Sequence, residues 1–321
     1  MLNALLFVVT FFGASLCLSA EVYPTRPVRV IVPYGTGNST DVSARIISQQ
    51  LTEQLGKSFV VDNRAGASGI IGSGLVAKSA PDGHTLLAVD ISFSILPGLY
   101  KSLPYDALKD FTPITEITGA PLVLVVHPSL KANTLKEFIA FAQANPGKIN
   151  YGSGGVGAIS RLSAELLKKA AKVDIVLVTY REGAAAAMNA VVGGEIEMLI
   201  SVIPTVLGQV KSGKLRALAV TTDGKRVPSL PDVPSMNEAG VSGMTVYTWI
   251  GLFGPGGIPK EVVNKLHAEV VKAIAVPSVR ERLIGLGVDP VGSSPEEFSN
   301  HIRDELRRWA EVVKSARITV E

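Results

Sequence analysis

The stretch "YGSGGVGAISRLSAELL", residues 151–167, joins a short strand, a glycine turn and a helical pattern. The strand begins just upstream in "KINYGS", and apolar residues recur at helical spacing after the glycines, as at Leu162, Leu166 and Leu167. A helix that starts directly after such a turn has unpaired N–H groups at the positive end of its dipole. The stretch therefore predicts an α/β unit with an anion site at the start of a helix.

The glycines Gly152, Gly154 and Gly157 have GxGxxG spacing, which leaves the kind of anion open. An NAD(P)-dependent enzyme would bind a pyrophosphate there and would need an acidic residue about 20 positions further on, at the end of the next strand. In the next apolar run, "VDIVLVTYREG", Asp174 lies near the start and Glu182 lies several residues too far away. We therefore favour a smaller anion and keep the NAD(P)-dependent enzyme as the alternative.

Short apolar runs alternate with amphipathic segments along most of the chain. The predicted strands are residues 28–33, 59–63, 84–90, 121–128, 148–153, 173–180, 197–203, 215–222 and 248–254, and the main predicted helices are 40–55, 135–145, 184–192 and 260–274. This alternation is typical of a parallel α/β sheet that is covered on both faces.

After Pro259 the sequence predicts helices alone, and the last of them begins with a capping box formed by Ser294 and Glu297. Its predicted buried stripe consists of Phe298, Ile302, Leu306 and Trp309. A terminal helical block needs a sheet to pack against, so we expect the chain to leave a first domain near residue 121 and return to it near 248. The predicted lobes are 21–121 plus 248–321 and 122–247.

The first twenty residues, "MLNALLFVVTFFGASLCLSA", contain no charged side chain and end in small residues. They predict a secretory signal peptide cleaved after Ala20, with an uncleaved membrane anchor as the competing interpretation. Cys17, the one cysteine of the chain, lies within this segment. The exported protein would therefore have neither a disulfide nor a thiol nucleophile.

Composition and motifs argue against several classes of function. The 31 basic and 28 acidic residues leave a net charge of +3, too small and too evenly spread to suggest nucleic acid as a partner. The histidines are His84, His127, His267 and His301. None has the spacing of a metal motif, and His267 and His301 are predicted to be solvated. We expect no catalytic residue, metal or cofactor.

The sequence contains two further glycine loops. "VPYGTGNSTDVSAR", residues 32–45, again places a glycine turn between a strand and a helix, with Ser39, Thr40 and Asp41 as candidate caps. "NRAGASGIIGSG", residues 63–74, follows the second strand. Two similar anion-receptive turns, one in each predicted lobe, would converge on one small anion if they face each other across a cleft.

From about Tyr23 to its end, the sequence resembles the periplasmic substrate-binding proteins of tripartite tricarboxylate transporters, the Bordetella uptake gene family. The likeness is carried by "YPTRPVRVIVPYGTGNSTDVSAR", "VVDNRAGASGIIGSGLVAKSAPDGHTLL", "YKSLPYDALKDFTPIT", "NPGKINYGSGGVG", "VVGGEIEM", "GKLRALAVTT", "SLPDVPSMNEAG" and "GLFGPGGIPKEVV". The resemblance implies a two-lobed, Venus-flytrap fold of the type II periplasmic binding class. It also implies a periplasmic, monomeric receptor that closes on a small carboxylate and delivers it to membrane permease subunits.

In that family, backbone N–H groups and ordered waters hold most of the ligand carboxylate. The ligand-binding residues that the resemblance implies here are Tyr34, Thr36, Gly37, Asn38, Ser39, Thr40, Asp41, Ser92, Ser153, Gly154, Gly155, Val156, Gly157, Ala158, Arg181 and Ser201. Asp41 has a competing interpretation as a helix-start residue that accepts hydrogen bonds from backbone N–H groups.

The sequence departs from the family pattern at four positions. Asn38 stands where the family usually has glycine, and asparagine tolerates a positive φ. Ala158 replaces a frequent serine, Arg161 a frequent histidine and Ser201 a frequent aspartate. The last two changes favour a dicarboxylate, or an acid with another anionic or acceptor group, over an amino acid.

The side chains of Tyr34, Phe93 and Trp249 are expected to set the size of the pocket. Besides the NAD(P)-dependent enzyme, a ligand-sensing partner of a signalling receptor stays open as an alternative, since it would use the same closed surface.

Overall fold

The computed structural model describes residues 23–154, 157–180 and 184–318, so the predicted signal peptide lies outside the described residues. Its strands are β1 (Val28–Val32), β2 (Phe59–Asn63), β3 (Thr85–Asp90), β4 (Phe111–Val126), β5 (Ile149–Ser153), β6 (Ile175–Thr179), β7 (Met198–Val202), β8 (Arg216–Val220), β9 (Tyr247–Pro255) and β10 (Asp289–Pro290). Its helices are α1 (Ser39–Leu55), α2 (Ile70–Ala77), α3 (Ser92–Leu99), α4 (Leu135–Ala144), α5 (Ile159–Ala171), α6 (Ala184–Val192), α7 (Ile203–Lys211), α8 (Lys260–Ala275), α9 (Pro277–Gly285) and α10 (Pro295–Ser315).

The strands form a sheet with the order β2-β1-β3-β9-β4-β7-β5-β6, and both β8 and β10 pair with β4. The predicted strands are confirmed to within two residues at each end except for β4, which begins ten residues earlier than its apolar run. The added segment carries threonines, a proline and Glu116, and its register with β9 shifts twice. These irregularities hide the alternation by which a strand is recognised in a sequence.

The prediction of a parallel sheet is wrong in part, because the sheet is mixed. β1 is parallel to β2 and β3, and β5 is parallel to β6 and β7, as helical crossovers require. β9 is antiparallel to β3 and β4, and β4 is antiparallel to β7 and β8. Of these two exceptional strands, β9 lies in the half that contains β1, β2 and β3, and β4 links the two halves of the sheet.

The pairing of β4 changes along its length. Between Phe111 and Pro121 it pairs with β9, and from Leu122 to Val126 it pairs with β7. We call the half of the molecule built on β1, β2, β3 and β9 the first lobe, and the half built on β5, β6, β7 and β8 the second lobe. The sheet therefore passes from one lobe to the other through a single long strand.

Helix α10 packs on the first lobe, against α3 and β4. Its predicted capping box is confirmed: the Ser294 hydroxyl accepts from the Glu297 N–H, and the Glu297 carboxylate accepts from the Ser294 N–H. Of the predicted stripe, Phe298, Ile302 and Trp309 are buried in the core. Within the described residues, none of the helices combines the length and the apolar character needed to cross a membrane.

Candidate functional site

The first glycine loop connects β1 to α1 and ends in a capped helix start. Gly37 has the left-handed backbone of the turn, with φ +84°. Asn38 is the N-cap, with an extended backbone (φ −77°, ψ 169°), and its Oδ1 accepts from the Asp41 N–H at 2.9 Å. Asn38 thus does not use its tolerance of positive φ, because Gly37 already makes the turn, and the cap is Asn38 instead of the predicted Ser39, Thr40 or Asp41.

Asp41 is buried and bonded within its own lobe. Its carboxylate accepts from the Gly37 N–H at 2.8 Å, from Asn63 Nδ2 at 2.9 Å and from Arg45 Nε at 3.0 Å. Burial by itself raises the pKa of Asp41, but the hydrogen bonds from Arg45, Gly37 and Asn63 lower it by more, so the pKa lies below its usual value. The geometry agrees with the interpretation of Asp41 as a helix-start residue that holds the loop in shape.

Two backbone donors remain at this helix start. The side chain of Asn38 takes the N–H of Asp41, and the Val42 N–H donates to the Asn38 carbonyl. Within the described residues, the N–H groups of Ser39 and Thr40 have no intrachain acceptor. Such N–H groups at the start of a helix are suited to an anion.

The third glycine loop lies between β5 and α5. Helix α5 begins at Ile159, and its N-cap Ala158 has an extended backbone (φ −69°, ψ 135°) with no side chain to accept a hydrogen bond. Among the described residues, the N–H groups of Ile159 and Ser160 find no acceptor in the chain. Ser153 is fully buried, with its Oγ 2.9 Å from Ser160 Oγ. Gly155 and Val156 lie outside the described residues.

A polar triangle lies beside the first loop, at the carboxyl ends of β1 and β3. Tyr34 Oη is 2.6 Å from Asp90 Oδ1 and 2.5 Å from Ser92 Oγ, and Ser92 Oγ is 2.5 Å from the same Asp90 oxygen. Sequence reasoning identified Tyr34 and Ser92 but missed Asp90. It also missed Asn63, whose Nδ2 donates to the Tyr34 carbonyl at 3.1 Å and thereby ties β2 to the loop. Both missed residues end predicted strands, the position that could have revealed them.

Helix α3 borders both loops. Its first residue, Ser92, bonds to Tyr34, and a Cβ atom at Gly157 would lie 3.1 Å from Cδ1 of Leu99, its last residue. The two contact points are seven residues apart on α3, a rise of about 10 Å. Tyr34, which precedes α1, and Gly157, which precedes α5, therefore lie along one helix, although they belong to different lobes.

The other predicted site residues are placed as follows. Ser201 is buried at the carboxyl end of β7, Thr36 is exposed in the first loop, Gly154 is half-buried, and Arg181 lies outside the described residues. The expectation that Phe93 and Trp249 set the pocket size is wrong, because both side chains are buried in the aromatic core.

The glycines of the GxGxxG pattern have a packing role. A Cβ atom at Gly152 would lie 2.8 Å from Ile196 Cδ1 and 2.9 Å from Ala187 Cβ, so only glycine allows α6 to approach β5 this closely. At Gly157 a Cβ atom would lie 3.1 Å from Leu99 Cδ1, a milder contact with the end of a flexible side chain. Close packing is therefore enough to account for glycine at position 152.

The prediction that His301 is solvated is wrong, since it is half-buried with Nδ1 2.8 Å from Glu116 Oε2. Nor do the described residues bring three or more His, Cys, Asp or Glu side chains together in a way that could hold a metal ion.

A two-lobed α/β fold with a glycine loop before a helix start in each lobe is typical of solute-binding receptors. Residues 43–318 match the model of the tripartite tricarboxylate transporter family receptor, and the chain belongs to this family. The chain is 36% identical over 304 residues to BugT of Bordetella pertussis, covering 94% of this chain and 93% of BugT.

Two solved structures resemble the chain over nearly their whole length. A protein of R. palustris, solved with adipate, is 35% identical with a TM-score of 0.81, covering 92% of this chain and 99% of that one. MatC of Rhodopseudomonas palustris, solved with bound malate, is 33% identical with a TM-score of 0.77, covering 91% of this chain and 100% of MatC. The resemblance stated from the sequence is thus confirmed, as is the two-lobed periplasmic-binding-protein fold, in a family of periplasmic solute receptors.

Proposed function

We propose that this protein is an exported, non-enzymatic receptor that captures a small carboxylate, carboxylic or dicarboxylic acid, between its lobes and delivers it to permease subunits of a tripartite tricarboxylate-type transporter. One observation carries the proposal: within the described residues, α1 and α5, from different lobes, each start with two N–H groups that have no intrachain acceptor, and Tyr34 and Gly157, which precede them, both contact α3. The adipate and malate bound to two relatives support it.

Backbone donors are sufficient for such a ligand. A helix N-terminus stabilises an anion by roughly 0.3 to 1 kcal/mol, and by about 2 kcal/mol when it is partly buried. Hydrogen bonds to a charged group add about 1.5 to 3 kcal/mol each. The negative charge of Asp41 is offset by Arg45 at 3.0 Å and so weakens the site little.

The lobe boundaries follow from the strand that crosses between the lobes. We place the first lobe at 21–121 plus 248–321 and the second at 122–247, because β4 changes partners between Pro121 and Leu122. Closure would then be a hinge motion at β4 and at the start of β9, favoured by a ligand that binds the closed state better. The proposal includes cleavage after Ala20, a periplasmic location and a monomeric receptor.

The proposed contacts comprise both loops and their neighbours. They are Tyr34, Thr36, Gly37, Asn38, Ser39, Thr40, Asp41 and Ser92 on the first lobe, and Ser153, Gly154, Gly155, Val156, Gly157, Ala158, Arg181 and Ser201 on the second. Asp41 acts in this set by shaping the loop.

The backbone donors can be removed one at a time. Ser39 is the first residue of α1, where proline is well tolerated, and the extended backbone of Asn38 suits a residue that precedes proline. Ser39→Pro deletes one N–H, whereas Ser39→Ala deletes only the hydroxyl. We expect Ser39→Pro to lower the affinity for the tightest-binding acid about 10-fold or more. We expect Ser39→Ala to change this affinity less than about 3-fold.

Titration calorimetry with succinate, malate, adipate and NAD⁺ measures these effects. Ile159→Pro, compared with Ile159→Ala, makes the same test at the start of α5, where Ala158 is also extended. Equal affinity in the proline and alanine variants would show that these N–H groups do not hold the ligand. Binding of NAD⁺ alone would favour the dinucleotide alternative.

A further inference from the structure

The triangle of Tyr34, Asp90 and Ser92 has more acceptor than donor capacity. Asp90 Oδ1 accepts from Tyr34 Oη at 2.6 Å, from Ser92 Oγ at 2.5 Å and from the Ser92 N–H at 3.0 Å. The two hydroxyls are themselves 2.5 Å apart. Three donors thus converge on one carboxylate oxygen at the edge of the first glycine loop.

The two hydroxyl protons of the triangle are both used within it. Tyrosine and serine hydroxyls carry one proton each. Both protons lie inside the triangle, whether both hydroxyls donate to Asp90 or one of them donates to the other. Burial, together with the charge of Asp90, raises the pKa of Tyr34 well above its usual value, so the phenol keeps its proton.

The capacity that the triangle has left is therefore that of an acceptor. In the described part of the chain, Asp90 Oδ2 receives no hydrogen bond, and neither Lys nor Arg forms an ion pair with this carboxylate. Turning either hydroxyl outward would break a short bond to a charged oxygen, which is among the stronger hydrogen bonds in proteins. A ligand atom that contacts the triangle must donate a proton or lose a hydrogen bond.

We propose that the ligand is a carboxylic acid that carries a hydrogen-bond donor, a hydroxyl or an ammonium group, and that Asp90 with its two hydroxyl partners selects for that donor. The inference rests on the proposed carboxylate receptor: the helix starts hold the carboxylate while the triangle accepts from the substituent. Near the triangle a second carboxylate is disfavoured, because Asp90 is itself negative. This preference for a donor group is opposite to the preference for a dicarboxylate that Arg161 and Ser201 suggested from the sequence.

Series of acids that differ at one carbon test this inference. The probes are propanoate, lactate and alanine; succinate, malate and aspartate; glutarate, 2-hydroxyglutarate and glutamate; and adipate, 2-hydroxyadipate and 2-aminoadipate. In the series that binds best, we expect the hydroxy or amino member to bind the wild-type protein about 10-fold or more tightly than the unsubstituted acid, measured by titration calorimetry. Which of the two binds better distinguishes hydroxyl from ammonium.

The variant Asp90→Asn tests whether the triangle causes the preference for acids that carry a donor group. We expect this variant to bind the substituted acid less than about 3-fold more tightly than the unsubstituted acid, because the amide can turn an N–H toward the ligand. Asp304→Asn, which removes an exposed carboxylate on α10, should leave the ratio of the two affinities unchanged. If Asp90→Asn does not fold, the affinities of the wild-type protein for the substituted and unsubstituted acids decide whether the ligand needs a donor.

Two results would overturn the inference. Tighter or equal binding of the unsubstituted acids by the wild-type protein would refute the donor requirement and leave the carboxylate receptor standing. An unchanged ratio in folded Asp90→Asn would remove Asp90 as its cause. Failure of every acid to bind would instead contradict the proposed function itself.

Discussion

The side chain of His301 on α10 meets Glu116 on β4, and the charge pair is partly shielded from solvent. Burial lowers the pKa of His301, but the hydrogen bond and charge of Glu116, with the charges of Glu305 and Asp304, raise it by more. The folded protein thus binds this proton more tightly than the unfolded chain does. Its stabilisation is fully present below the unfolded pKa of about 6.5 and is lost as the pH rises through the folded pKa.

Glu116→Gln should therefore cost more stability in mild acid than in mild base. We expect the difference in free energy of unfolding between wild type and variant to be larger at pH 5.5 than at pH 8.5, measured by urea titration. Glu311→Gln, at an exposed site on the same helix as His301, should show no such pH dependence. Equal differences for Glu116→Gln at both pH values would contradict the role assigned to the pair.

At the scale of elements, α10 shows how a helix can be predicted and still depend on its neighbours. Its start is set locally by Ser294 and Glu297, and its apolar side by the spacing of Phe298, Ile302 and Trp309. These side chains become buried only because α3 and β4 lie beneath them. Local signals thus determine where α10 begins, and packing supplies most of its stability.

Removing the cap should weaken α10 without disturbing its packing. Ser294→Ala is expected to lower the stability by about 1 kcal/mol, the usual effect of losing an N-cap side chain. For a protein of this size, that corresponds to about 2 °C in the midpoint of thermal unfolding, measured by circular dichroism. Ser299→Ala, which loses only an exposed contact with Arg303, should stay within about 0.5 kcal/mol of wild type. Equal effects of the two variants would argue against the cap.

Helix α3 was not predicted, and its sequence explains why. It contains Pro97 and Gly98, two poor helix formers, within only eight residues. Gly98 lets the backbone of α10 approach, since a Cβ atom there would lie 3.1 Å from Ala310 Cα. The helix therefore depends on tertiary contacts that a local pattern does not contain.

At the scale of the whole molecule, the lobes touch at places far apart in the chain. Gly157 of the second lobe meets Leu99 of α3, and a Cβ atom at Gly287 would lie 2.5 Å from Cγ of Pro204 on α7. Small residues at both contacts let the lobes approach closely. Closure on a ligand would be sensitive to any side chain added there.

Gly157→Val tests this sensitivity. Its backbone does not require a positive φ, so the main effect of valine is contact with Leu99 across the lobes. We expect the affinity for the tightest-binding acid to fall about 10-fold, while the unfolding midpoint without ligand moves by less than about 2 °C. Gly208→Val, on α7 where a Cβ meets open space, is the matched control and should leave the affinity unchanged. Wild-type affinity in Gly157→Val would show that closure does not need this contact.

The sequence by itself determined most local units of this protein: the strands except β10 and the first part of β4, the glycine turns, and the helix starts of residues 32–45 and 151–167. Strand periodicity and the unpaired N–H groups of a helix start are properties of a few consecutive residues, so they can be recognised without the fold. The family likeness followed from eight stretches spread along the chain, and the match to residues 43–318 confirms it.

Only the tertiary structure decided which of these groups meet. Tyr34 and Asp90 are 56 positions apart, and Gly157 and Leu99 belong to different lobes, so no local pattern joins them. The direction of β4 and β9, the burial of Trp249 and the partners of Asp41 depend likewise on distant segments. The physical reason is that hydrogen bonding and burial depend on proximity in space, which arises only when the chain has folded.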